Sequence, residues 1–94
     1  PLLILNKSRD IIPERARYVG RPGPLGNPYT IGKDGTREEV IEKYRQWFRR
    51  KIEKDEAFLV MVEHLRGTPA LVCWCAPNRC HAEVIAEYLK TGKV

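Results

Sequence analysis

Ala70-Leu71-Val72-Cys73-Trp74-Cys75-Ala76-Pro77-Asn78-Arg79-Cys80-His81 decides how this chain folds, because two kinds of periodicity meet in it. Its first six residues form a continuous apolar run, the pattern of a buried strand. Ala76 to Arg79 read as the connecting turn. Cys80 or His81 then opens a helix whose apolar stripe is Val84, Ile85, Tyr88 and Leu89, and Gly92 stops it. A buried strand running directly into a helix is one half of a parallel βα unit. Ligands of such sheets bind beyond the carboxyl ends of the strands.

Working outward, Leu2-Leu3-Ile4-Leu5 is a second short apolar run, expected to be a strand buried on both faces, and Tyr18-Val19 can form a third. Between Gly20 and Gly35 there are five glycines and three prolines in sixteen residues, which forbids a helix. Leu25, Tyr29 and Ile31 give this stretch apolar anchors, so it reads as an ordered loop packed on the core rather than a linker. Thr36-Arg37-Glu38-Glu39 is a capping box. It opens a helix over residues 36–54 with Val40, Ile41, Tyr44, Trp47, Phe48 and Ile52 on one stripe. Asp55 is the N-cap of a shorter helix burying Phe58, Leu59, Val62 and Leu65, with Gly67 as its terminator. These two helices supply the crossover that a parallel strand pair needs. The expected fold is therefore α/β: a small single-layer sheet with at least two parallel strands, one long helix, one short helix and a C-terminal helix. Residues 1–94 are expected to form a single domain.

With 43% hydrophobic and 31% charged residues, the 94-residue composition is that of a globular chain, not a disordered one. No apolar run approaches the roughly 20 residues that span a bilayer. Pro1 to Lys7 lack the basic leader and small-residue cleavage site of a secretory signal. Three cysteines within eight residues cannot all pair, which suits a reduced, cytoplasmic setting and a local site rather than a disulfide framework. The net charge is +5, and its excess sits in the N-terminal third on Lys7, Arg9, Arg15, Arg17, Arg21 and Lys33. Such a field favours an anionic small molecule or a nucleic acid, and equally serves solubility alone.

On a strand, Cys73 and Cys75 share a face, with Trp74 opposite. Cys80 and His81 fall where a helix N-terminus lowers a thiol's pKa, so Cys80 is a candidate nucleophile and His81 a candidate acid or base. The same four donors are chemically suited to zinc, but C-x-C-x4-C-H departs from C-x2-C modules, and no bound metal or cofactor is expected. A third reading makes Cys73 and Cys75 ordinary small core residues.

The string from Cys73 to Ala86, together with Gly20-Arg21, Gly26-Asn27-Pro28 and Gly35-Thr36-Arg37-Glu38-Glu39, resembles the signature of a bacterial and phage family, domain-of-unknown-function family 4326. That signature is close to C-W-C-x-P-x-x-C-H-[GA]-[DE]-V-[LI], preceded by G-R-x-x-x-x-G-N-P and G-T-R-E-E. Ala82 and Glu83 stand where many relatives carry Gly and Asp, which keeps the carboxylate.

The resemblance assigns no chemistry, which rests on the residues. Arg21 is a fixed cation and Asn27 a polar amide between glycines, a loop able to hold phosphate or carboxylate although it matches neither phosphate-loop fingerprint. Glu83, on the first turn of the last helix, complements its dipole and is also placed to assist His81. The expectation is one concave surface carrying Arg21, Asn27, Cys75 or Cys80, and His81. On it the chain would act as a small enzyme or ligand-binding domain on an anionic nucleotide-type or nucleic-acid substrate. A zinc-stabilised nucleic-acid module and an interaction protein with a structural cysteine cluster are the rivals.

Overall fold

The computed structural model describes residues 2–94 and places three parallel strands in one sheet with three helices. In chain order these are β1 (Leu3–Asn6), β2 (Arg17–Tyr18), α1 (Arg37–Lys54), α2 (Glu56–Glu63), β3 (Ala70–Cys73) and α3 (Ala82–Thr91). The last strand in sequence is the middle one in space: the order is β1-β3-β2, with Leu5 opposite Val72 and Asn6 opposite Cys73, and with Tyr18 also opposite Val72. The helical crossover between β2 and β3 makes that parallel pairing possible. No described helix is long and apolar enough to cross a membrane.

Position in the sheet explains burial. All four residues of β3 are buried, because both neighbours shield it. β1 is an edge strand, so the expectation that it is buried on both faces fails: Leu3 is exposed and Ile4 and Leu5 are only half-buried. In the order β1-β3-β2 only β3 has a strand on each side among the described residues. Leu71 and Cys73 face the main core, where Tyr44 and Phe48 of α1, Val62 of α2 and Ile85 of α3 are fully buried. Each such side chain contributes about 1.5–3 kcal/mol by leaving water.

The helix ends follow their capping chemistry. Thr36 accepts from the Glu39 N–H while the Glu39 carboxylate accepts from the Thr36 N–H, so the expected capping box is formed. Asp55 stops α1 and caps α2, accepting from the Phe58 N–H. α2 ends at Glu63, one turn before Gly67. There the N–H groups of Leu65, Arg66 and Thr68 each bond three residues back, a tighter winding that carries the chain to Gly67. Gly67 takes φ +88° and Gly92 φ +77°, the left-handed values that favour glycine.

Candidate functional site

β3 stops at Cys73, two residues earlier than its apolar run suggests, and the cause is a side chain from β1. Asn6 is buried, and its Nδ2 donates to the carbonyls of Trp74 at 2.9 Å and Ala76 at 2.8 Å. Its Oδ1 accepts from the N–H groups of Ser8 and Arg9. One amide thus bends the chain after Cys73 and ties down the loop after β1. The alternation argument linking Cys73 to Cys75 therefore does not apply beyond the strand end. With their carbonyls drawn toward Asn6, residues 74–76 turn the Cys75 and Ala76 N–H groups onto the Cys73 sulfur.

The three cysteines are all free thiols, and Cys73 and Cys80 are in contact, Sγ to Sγ, at 3.2 Å. Both are buried, so the pair shares a proton in a setting with little water. The Cys80 S–H and the two backbone N–H groups stabilise a thiolate on Cys73 and draw its pKa down. Cys80 is held protonated, its pKa pushed up by that hydrogen bond and by burial. Helix position alone favours a thiolate on Cys80, whereas the donors around the pair favour one on Cys73.

His81 caps the start of α3 without a side-chain capping bond. Its Nε2 lies 2.7 Å from the Val19 carbonyl, which can only accept, so Nε2 carries the proton and Nδ1 is the basic nitrogen. Burial, and secondarily the Arg21 charge, depress its pKa and keep the ring neutral. The Tyr44 ring meets it edge-on, centroids 5.0 Å apart. Val19 belongs to the chain just past β2, and its own N–H donates to Val72, so the sheet sets the position of the imidazole.

The glycine-rich loop lies against the same end of the sheet. The Tyr44 hydroxyl donates to the Leu25 carbonyl at 2.8 Å, and the Asn27 amide donates to the Val40 carbonyl at 3.1 Å while accepting from the Tyr29 N–H. A Cβ on Gly26 would stand 2.9 Å from the Arg21 backbone nitrogen, so only glycine lets the loop close on itself there. Asn27 is therefore a lock for the loop, with its carboxamide engaged by α1. Arg21 remains exposed, bonded through Nη1 to the Thr30 hydroxyl at 3.3 Å.

These parts enclose a cavity of about 100 Å³. Arg21, Asn27, Cys75, Cys80 and His81, predicted to share one concave surface, all line it, although they span sixty residues of chain. Sequence reasoning missed several others that do so: Cys73, Arg37, Arg79, Trp74 and Tyr29. Arg37 and Arg79 look like ordinary helix and turn surface, and only the fold aims them at one place. Among the described residues lining the cavity there are three arginines and no carboxylate. Arg79 is offset by Glu83 at 3.1 Å and Glu38 at 3.8 Å, whereas among the described residues Arg37 bonds to the Arg79 carbonyl alone. Glu83 does not reach the cavity. Its carboxylate accepts from the Cys80 N–H and from Arg79, capping α3 and anchoring the turn.

A larger cavity of about 800 Å³ lies between Leu2, Ile4 and Leu89, away from the thiols. It gathers none of the cysteines, His81 or Arg21, although Glu83 lines it. The sulfur spacing does not favour a zinc site: two sulfurs on one tetrahedral zinc stand about 3.8 Å apart, wider than the Cys73–Cys80 contact. Among the described residues no group of three or more His, Cys, Asp or Glu is placed to hold one metal ion.

A small parallel α/β domain with an arginine-lined thiol cavity at the carboxyl end of its central strand is the class these features define. The chain belongs to the family described as Domain of unknown function (DUF4326), whose model matches residues 4–91. It is similar to the "Uncharacterized 12.4 kDa protein in nrdA-td intergenic region" of Enterobacteria phage T4, 42% identical over 58 residues. That match covers 61% of this chain and 53% of the phage protein, about half of the relative's length. No solved structure matches the chain.

Proposed function

We propose that this chain is a small enzyme or ligand-binding domain that takes the phosphate of a nucleotide-type or nucleic-acid substrate into the cavity and acts on it through the thiol pair and His81. The observation that carries this reading is the lining itself: three guanidinium groups, two thiols in contact and a neutral imidazole face one small space without a carboxylate among the described lining residues. Arginine's planar fork pairs with phosphate oxygens bidentately, and Arg21 and Arg37 have hydrogen bonds only to a hydroxyl and a carbonyl, which leaves donors for a ligand.

Each further group has a chemical part. A thiolate on Cys73 is the nucleophile of this reading, with Cys80 the proton donor beside it. His81, neutral with Nδ1 unprotonated, is the acceptor for a substrate proton. Cys75 stands at the same wall with its thiol half-buried. Glu83 acts at one remove, by holding Arg79 and the turn, and Asn27 by holding the loop that carries Arg21.

Calorimetric titration with inorganic phosphate tests the binding half of this reading. We expect saturable binding, weakened about tenfold by Arg21→Ala and by Arg37→Ala, the equivalent of one charge-assisted hydrogen bond each. No binding at millimolar phosphate, or affinity indifferent to both arginines, overturns it.

A further inference from the structure

We propose that Trp74 is a stacking platform for a nucleobase, so that the ligand is a nucleoside phosphate whose phosphate enters the cavity and whose base lies on the indole outside it. This rests on the phosphate reading above and names the part of the ligand that the arginines do not recognise.

Cavity size is the first argument. About 100 Å³ accommodates an oxyanion and little more, whereas pockets that enclose drug-sized molecules run to roughly 300–1,000 Å³. The remainder of any larger ligand must therefore lie on the rim. Trp74 forms part of that rim, and it is 54% exposed, while the other tryptophan, Trp47, packs on the core.

The indole is exposed but not loose. Its Nε1–H donates to the Tyr18 hydroxyl oxygen at 2.9 Å, and the Tyr18 hydroxyl donates in turn to the Arg21 carbonyl. The Lys7 ammonium lies over the Tyr18 ring, 4.7 Å from its centre, and over one face of the Trp74 ring at 5.5 Å, so a base would take the other face. Lys7 is itself placed by its N–H bond to the Cys73 carbonyl at 2.8 Å. One chain of contacts thus runs from the thiol strand through Lys7 and both rings to the backbone of the phosphate-facing arginine. A polar network of this kind adds nothing to the core, since its members lie in water. It fixes a large flat apolar face beside the cationic cavity, and a face already ordered loses little freedom when a base stacks on it. Sequence-tolerant stacking of bases on such aromatic faces beside basic grooves is a recurring mode of nucleotide recognition.

The test is titration of the full chain with inorganic phosphate, ribose 5-phosphate and adenosine 5′-monophosphate, following heat and the Trp74 indole N–H resonance. Adenosine 5′-monophosphate is expected to bind about tenfold or more tightly than ribose 5-phosphate and to shift that resonance. Trp74→Ala should abolish the advantage, so that the nucleotide and ribose 5-phosphate bind that variant with equal affinity. Trp74→Phe, which keeps an aromatic face, should retain part of the advantage and shows that loss in the alanine variant is not misfolding. A 5′-phosphorylated oligonucleotide that matches the mononucleotide assigns the ligand to nucleic-acid ends, and a weaker one assigns it to free nucleotides. If ribose 5-phosphate binds as tightly as the nucleotide, or if the advantage survives Trp74→Ala, the platform is refuted and the phosphate site stands. If neither inorganic phosphate nor ribose 5-phosphate binds, both readings fall together.

Discussion

The Gly20–Pro28 loop and the Trp74–Cys80 turn are both irregular, both contain proline and both meet at the same end of the sheet, yet they are held in opposite ways. The loop is secured partly by its own polar side chain: Asn27 bonds to Val40 and to Tyr29, and Tyr44 grips Leu25 from α1. The turn is secured from its flanks, by Asn6 on the Trp74 and Ala76 carbonyls and by Glu83 on the Cys80 N–H. A segment that fastens itself has few groups left for a ligand, and in the loop the exposed charge of Arg21 is what remains. A segment fastened by others keeps its own side chains for its neighbours, as Cys80 does in meeting Cys73.

Breaking the outside support should have the largest effect. Asn6→Ala removes the partner of two carbonyls and two N–H groups, and we expect a loss of about 3 kcal/mol in urea denaturation. Alkylation of Cys73 should quicken in the same variant as the turn opens. A loss under about 1 kcal/mol would mean the turn holds itself, and the contrast with the loop disappears.

Tyr44→Phe makes the complementary cut. It deletes the buried hydroxyl on Leu25 and should cost about 1–2 kcal/mol, since a buried carbonyl is left without its partner. Phosphate affinity should fall with the loosened Arg21, while the thiol titration stays where it was. A shift of the thiol titration in this variant would show that loop and turn are one unit rather than two.

The smallest effect is on acid stability. The fold depresses the pKa of His81 below its ordinary 6.5, so the unfolded chain takes up that proton first as the pH falls. The stability linked to His81 is therefore complete above about pH 6.5 and declines below it, levelling once the folded protein is protonated too. His81→Gln should flatten the denaturation profile in that window. An unchanged slope would mean that the imidazole is not buried against Val19.

Much of this arrangement can be read in the sequence, and the failures have physical causes. The capping box at Thr36, the Asp55 cap and the parallel strand pair follow from local rules that tertiary packing leaves intact. The meeting of Arg21 with Cys80 and His81 is legible because a basic glycine-rich loop and a thiol turn serve one ligand only if they meet. Burial of β1 was not legible, since an apolar run carries no mark of whether it lies at an edge. Asn6 was invisible for a similar reason: its partners are backbone carbonyls sixty-eight and seventy residues away. The N–H groups that favour a thiolate on Cys73 were likewise hidden, since they belong to the bend that Asn6 holds.

The account stands most directly on the rate of Cys73 alkylation by iodoacetamide, read by peptide mass spectrometry across pH, with and without inorganic phosphate at constant ionic strength. The expected result is a midpoint below that of a free thiol, and saturable protection by phosphate that Arg37→Ala weakens. Cys80→Ala should move the midpoint up, because it removes the donor on that sulfur. A midpoint at the ordinary 9.0, with a rate indifferent to phosphate, would contradict it.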